Sequence, residues 1–257
     1  MYTRFRSAMK SVVLFIGPAG SGKTSLTAAF GKWLWSRMVT PAAYVNLDPG
    51  VEYLPYRPDI DIRQYVTVEE VMKKYGLGPN GALIKSIEIA CKYLDDILER
   101  ASKLPAPYVL VDTPGQMELF LFREFGPRFV EKFKKAGHII GVVILDPTLM
   151  RKAQDIVSLK LLSLLTSLRL GVDVIPVINK ADAVEEGEIL RDDERLRLEL
   201  SRESEGVIGE ISERILDLLN DYRLATRVPL VSATTGKGLE ELYDMLHEIF
   251  CACGDLT

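Results

Sequence analysis

Val12-Val13-Leu14-Phe15-Ile16-Gly17-Pro18-Ala19-Gly20-Ser21-Gly22-Lys23-Thr24 is the stretch on which the fold turns. Its five leading apolar residues read as a strand buried on both faces. The spacing Gly-x-x-x-x-Gly-Lys-Thr follows at once and opens onto an amphipathic run over 22–38, the context a phosphate-binding loop requires. Glycines let backbone N–H groups close around phosphate oxygens, and the helix N-terminus adds a favourable dipole. Lys23 supplies positive charge to β- and γ-phosphates, and the Thr24 hydroxyl suits Mg²⁺.

Working outward, the same kind of apolar run recurs at Ala43–Leu47, Tyr108–Val111, Ile139–Leu145, Val172–Ile178 and Pro229–Val231, with helical patterns at 82–103, 148–170, 205–222 and 237–250 between and after them. Strands alternating with helices predict an α/β architecture of three layers, its mostly or wholly parallel sheet covered on both faces. Ligands of such sheets sit beyond the carboxyl ends of the strands, so the loops there should carry the chemistry. Residues 49–106 are too many for one crossover. They hold a Pro-rich piece, Leu54-Pro55-Tyr56-Arg57-Pro58, a short helical piece near 67–75, the turn Gly76-Leu77-Gly78-Pro79-Asn80-Gly81 and a helix of about 22 residues, and read as a helical insertion. Glu185–Glu205 is dense in charge and reads as an exposed helix pair or lid.

Composition bounds the rest. The 257 residues are 47% hydrophobic and 26% charged, with 32 Lys+Arg against 36 Asp+Glu. A chain of this length removes roughly 70–75% of its unfolded surface from water, so it needs no disulfide or structural metal. The net charge of −4 argues against direct nucleic-acid binding, which relies on clustered basic residues. Cys91, Cys251 and Cys253 are an odd set without a disulfide spacing and point to a reducing, cytoplasmic setting. Val12–Ile16 is too short for a secretory signal, and no run approaches the roughly 20 apolar residues of a membrane span.

Further strand ends supply further groups. Val109-Leu110-Val111-Asp112 delivers a carboxylate to a phosphate-bound cation, and Thr113-Pro114-Gly115 forms a turn able to sense the γ-phosphate. Gln116 could orient an attacking water, with Glu118 nearby. Asn179-Lys180-Ala181-Asp182 and Ser232-Ala233-Thr234 follow the last two apolar runs. A carboxylate at Asp182 can accept two hydrogen bonds from the N1–H and N2–H₂ edge of guanine, which adenine lacks, so guanine is the expected base.

Taken in order, these motifs resemble the P-loop GTPases. With Asn46-Leu47-Asp48-Pro49-Gly50, Ile60-Asp61-Ile62-Arg63 and Gly78-Pro79-Asn80-Gly81 added, the chain from residue 11 to about 250 is similar to the GPN-loop GTPases. The resemblance implies a single GTPase domain over 1–257, related in class to signal-recognition and nitrogenase-iron-protein-like NTPases. It implies GTP/GDP and Mg²⁺ as ligands and a homodimer or paired paralogues. Gly78, Pro79 and Asn80 would reach across the dimer to the partner's γ-phosphate. Asp48, supported by Gln116 and Glu118, would position water, and Asp112 would hold Mg²⁺ through water. Lys23 joins these as catalytic, and Gly17–Thr24, Ser25, Gly115, Asn179, Lys180, Asp182, Ser232, Ala233 and Thr234 would hold the nucleotide. Arg63 is the nearest candidate for an arginine finger, and Gln64 stands where many members carry another Asp. The family's link to RNA polymerase assembly implies protein clients. Two rival readings are a GTP-holding scaffold that turns over only with a partner, and a GTP-dependent metal-delivery protein using His247, Cys251 and Cys253.

Overall fold

The computed structural model describes residues 10–149, 152–183, 193–203, 207–221 and 228–254. Six strands form one sheet: β1 (Lys10–Ile16), β2 (Ala42–Asn46), β3 (Ile60–Asp61), β4 (Tyr108–Asp112), β5 (Gly137–Leu145) and β6 (Asp173–Ile178). Their order is β3-β2-β4-β1-β5-β6, and every pairing is parallel. β1 is flanked by β4, with Phe15 beside Asp112, and by β5, with Ile16 beside Val143. The carboxyl ends of β2, β4 and β1 therefore lie side by side in that order, and the phosphate-binding loop leaves β1, next to β4.

Alternation along the strands divides the core in two. Val13 and Phe15 of β1 point to one face, where they meet Leu26, Phe30 and Leu34 of α1 (Lys23–Met38) and Leu242, Met245 and Leu246 of α10 (Leu239–Gly254). Val12, Leu14 and Ile16 point to the other, larger face. That face is covered by α2 (Val68–Tyr75), α3 (Pro79–Ala90), α4 (Leu94–Ser102), α5 (Met117–Phe122), α6 (Phe125–Phe133) and α7 (Ala153–Leu170). Phe120, Phe125, Phe129 and Phe133, all fully buried, fill its centre. Burying each such ring contributes on the order of 2–3 kcal/mol. α8 (Asp193–Glu203) and α9 (Val207–Asp221) follow β6.

The structure departs from the sequence expectations at several points. The single helix expected over 82–103 is two, α3 and α4, separated by a 3₁₀ turn at Cys91–Tyr93. Its start also moves, because Pro79 occupies the first helical turn, where its fixed φ suits a helix and its missing N–H is not needed. Gly78-Pro79-Asn80 is thus a helix N-terminus rather than a free turn. The strand expected at Pro229–Val231 reduces to one bridge, Leu230 beside Ile178. β3 and the pair α5–α6 were not legible as periodic runs. Of the charged segment 185–205, α8 is described, while 184–192 and 204–206 lie outside the described residues.

Candidate functional site

The loop after β1 is shaped by glycine at the residue that starts α1. Gly22 has φ 90°, and a Cβ there would come within 2.3 Å of the Asn179 Nδ2. Both the backbone conformation and the space exclude a side chain. Beyond it Lys23, 6% exposed, donates from Nζ to the carbonyls of Gly17 (2.8 Å), Pro18 (2.9 Å) and Gly115 (3.3 Å). Burial pushes the ammonium down from its ordinary value, and the carboxylates of Asp112, Asp48 and Glu118 counter that. Lys23 thus joins the phosphate loop to the turn after β4.

Asp112 ends β4 fully buried. Desolvation drives its carboxyl up to about 6, against the lowering influence of the nearby Thr24 hydroxyl and of the Tyr56 hydroxyl; Asp48 raises it further and Lys23 lowers it. Its Oδ2 accepts from the Tyr56 hydroxyl at 3.0 Å, while Oδ1 has no hydrogen-bond partner. A buried carboxylate oxygen without a partner is costly unless something charged or protic meets it. A divalent cation, or a water bound to one, fits that need, with the Thr24 hydroxyl as neighbour. Ser21 Oγ is likewise buried without a partner in the phosphate loop.

Asp48 follows β2 and spans the same gap. Its Oδ1 accepts from the Gly50 N–H (2.8 Å) and its Oδ2 from the Gly115 N–H (2.8 Å), so one carboxylate ties the loop after β2 to the turn after β4. Burial raises its pKa despite those bonds and the nearby Lys23 and Arg63. Behind it stands a polar relay. Buried Asn46 donates from Nδ2 to Asp61 Oδ1 (2.9 Å) and to the Asp48 carbonyl (3.3 Å), and its Oδ1 accepts from the Asp48 N–H (3.0 Å). Arg63 clasps Asp61 through Nε (3.0 Å) and Nη2 (2.7 Å), and its Nη1 donates to the carbonyls of Val51 and Glu52. Arg63 therefore holds the loop after β2 to Asp61. Gln116 caps α5 half-buried; Glu118 is exposed but close enough to act on Lys23.

Gly78, Pro79 and Asn80 are exposed and hydrogen-bond to none of Lys23, Asp48, Asp112 or Gly115. One turn on, Leu83 Cδ1 lies 3.6 Å from where a Cβ on Gly50 would sit, so α3 packs beside the Asp48 loop and presents its N-terminal tip outward.

At the other end, Asn179 is buried after β6. Its Nδ2 donates to the Ser21 carbonyl (3.0 Å), and its Oδ1 accepts from the Ala233 N–H (3.3 Å). One amide so links the phosphate loop to the Ser232-Ala233-Thr234 turn. Lys180, at φ 57°, pairs with Asp146, whose Oδ1 is fixed by Thr148. Asp182 is exposed, and the Ser232 hydroxyl beside it holds its carboxyl below the ordinary range, ionised and able to accept two donors. Ser25 and Thr234 lie exposed at the rim.

Sequence reasoning assigned no role to Tyr56, Asn46, Asp61 or Asp146. Asp146 had a signal, a carboxylate ending a buried strand as Asp112 does; Tyr56 had none beyond its prolines. At the far end of α10, His247 and Cys251 touch (Sγ to Nδ1, 3.4 Å), and the side chain of Cys253 lies outside the described residues. Among the described residues no group of three or more His, Cys, Asp or Glu is gathered to hold a metal. No helix among them is long and apolar enough to cross a membrane.

An all-parallel sheet with a phosphate loop after its inner strand, and a buried carboxylate closing the neighbouring one, defines a P-loop nucleotide-binding protein. Comparison with known proteins narrows the class. Residues 15–252 match the family model described as "Conserved hypothetical ATP binding protein". GPN-loop GTPase PAB0955 of Pyrococcus abyssi (strain GE5 / Orsay) is 40% identical over 256 residues, 96% of this chain and all of the relative. The crystal structure of PAB0955, a GTPase in apo form, superposes with a TM-score of 0.85 at 39% identity over 95% of this chain and 98% of that one. GPN-loop GTPase 1 of Dictyostelium discoideum is 28% identical over 239 residues, 91% of this chain and 60% of the relative. The chain belongs to the GPN-loop GTPase family.

Proposed function

We propose that this protein binds GTP with Mg²⁺ at the ends of β1, β2 and β4 and hydrolyses it by in-line attack of water on the γ-phosphate, as a dimeric switch. The observation that carries this is Gly115, whose N–H donates to Asp48 and whose carbonyl accepts from Lys23. The groups suited to water, γ-phosphate and phosphate charge therefore meet through one residue. Positioning and electrostatics supply most of the acceleration in phosphoryl transfer. Asp48 orients the water, with Gln116 and Glu118 at the edge of the same turn, and Lys23 exchanges its carbonyl partners for phosphate oxygens. When bound at Thr24 and Asp112, the cation would neutralise charge on the phosphates. Guanine is selected by Asp182, so the ATP of the family model's description does not carry over.

The outward position of Asn80 favours a site completed by a second copy, the Gly-Pro-Asn tip serving the neighbour. Movement of the Asp48 loop and of residues 112–118 would then alter the dimer's outer face, suited to a protein client such as a polymerase assembly, in the cytoplasm. Mixing inactive Asn80→Ala with inactive Lys23→Ala protein should restore GTPase, since one mixed site then holds both groups. No recovery despite proven subunit exchange would refute the shared site. A scaffold that holds GTP and depends on an outside activator is the second reading, also favoured by the exposed Asn80. Its mark is tight GTP binding with no turnover at any protein concentration.

A further inference from the structure

The segment between β2 and β3 places one aromatic residue where a surface loop ordinarily has none. Tyr53 is 78% exposed, as a loop residue should be, but three residues on Tyr56 turns inward. Its ring stacks on Tyr44 of β2, centroids 4.8 Å apart and planes within 18°. Tyr44 is itself wedged: a Cβ on Gly31 of α1 would fall 2.0 Å from its hydroxyl, so only glycine leaves room for the ring there. Asp59 pins the loop to the same residue from the other side, its N–H donating to the Tyr44 carbonyl (2.8 Å) and its Oδ2 accepting from the Tyr44 N–H (2.8 Å). Pro55 and Pro58 restrict the backbone on either side of the ring. Tyr56 is thus held by α1, β2 and its own loop before its hydroxyl makes any contact.

That hydroxyl donates to Oδ2 of fully buried Asp112 and leaves Oδ1 as the oxygen without a partner. We infer that Tyr56 is a positioning residue for the cation site: by occupying one oxygen of Asp112 it fixes the carboxylate plane and turns the other oxygen toward the divalent cation or its water. Outer-shell donors of this kind orient ligating groups, and their loss typically weakens metal affinity about 10- to 100-fold. The arrangement also makes the Pro-rich loop part of the cation site, since the loop cannot leave β2 without releasing Asp112. The inference rests on Asp112 as the residue that holds the cation.

The test uses Mn²⁺ as the probe on the full chain with GDP, its free fraction followed by electron paramagnetic resonance. Tyr56→Phe keeps the ring on Tyr44 and removes only the donor. Its Mn²⁺ Kd should rise about tenfold or more, while GDP affinity in EDTA stays at its wild-type value and the thermal midpoint falls only by the few degrees that one lost buried hydrogen bond brings. An unchanged Mn²⁺ Kd overturns the proposal. So does an equal loss of GDP affinity in EDTA, which would mean that Tyr56 only supports the fold. Asp112→Asn separates the premise from the inference. If it leaves Mn²⁺ binding intact, Asp112 is not the cation's residue and the premise has failed; if it abolishes binding while Tyr56→Phe does not weaken it, only the role of Tyr56 is wrong. In the double variant the Tyr56→Phe effect should vanish, because its target is gone.

Discussion

Replacing Asp61 by Asn tests the relay behind Asp48 with almost no change in volume. Asp61 ends β3 with its side chain 11% exposed, and the Arg63 side chain it faces is 26% exposed. Its carboxylate accepts from the Arg63 backbone N–H (3.0 Å), from Asn46 (2.9 Å) and from the Arg63 guanidinium. An asparagine keeps one acceptor for the first two bonds, but its NH₂ then faces the guanidinium, donor against donor. Breaking a fully buried pair costs about 3–5 kcal/mol, and an exposed one about 0–1. At this intermediate exposure, with several charge-assisted bonds involved, the expected loss is about 2–3 kcal/mol. The pH dependence has a definite sign. Burial alone would raise the Asp61 carboxyl, but the hydrogen bonds from Arg63 and Asn46 outweigh it and hold it below its ordinary 3.8. A depressed folded-state pKa stabilises the native protein above the unfolded value and is lost as pH falls through the folded one. Urea unfolding of the two proteins should therefore show a constant gap at neutral pH that narrows below about pH 4. Because the Arg63 guanidinium is then released from the relay behind Asp48, single-turnover GTP hydrolysis should also slow while GTP affinity holds. A gap under about 0.5 kcal/mol at pH 7, the level of an ordinary surface change, would refute the reasoning.

Three other substitutions probe separate links. Gly22→Ala forces a Cβ into the Asn179 amide at φ 90°; calorimetry should find GDP binding lost, with stability down by about 1–3 kcal/mol. Phe129→Ala empties the middle of the larger core, where the ring is fully buried, and should lower unfolding free energy by about 3–5 kcal/mol in urea. Asp182→Asn exchanges one acceptor for a donor where the purine edge is read, so competition binding should show GTP weakened and XTP, which offers a carbonyl at C2, strengthened.

The parts of the site made by consecutive residues are legible in the chain itself. Ile16 to Thr24 is strand, loop and helix start in one run, and Val109 to Gly115 is strand, carboxylate and turn. Their hydrogen-bonding and dihedral requirements are local, so residue type and spacing carry them. The helix break at Cys91–Tyr93 is not legible, because 82–103 keeps an apolar stripe through the turn and only packing against β3 and α6 decides where α3 ends and α4 begins. Pro229–Val231 fails as a strand for a related reason: at the sheet edge it meets one neighbour, and only Leu230 pairs.

The contacts that set the chemistry bridge long stretches of chain. Tyr56 reaches Asp112 across 56 positions, Gly115 reaches Asp48 across 67, and Asn179 reaches Ser21 across 158. What brings them together is the strand order, which sets β2 beside β4 and β4 beside β1. By itself the sequence determined the layered α/β fold, the phosphate loop and the strand-end carboxylates, since each follows from periodicity or from a turn's local geometry. Only the tertiary structure decided that Arg63 holds a loop, that the Gly-Pro-Asn tip is exposed without a hydrogen bond to its own phosphate loop, and that a tyrosine in a Pro-rich segment meets Asp112. Those outcomes depend on which buried polar atoms the packed sheet leaves within hydrogen-bonding distance, and no local pattern in the chain encodes that.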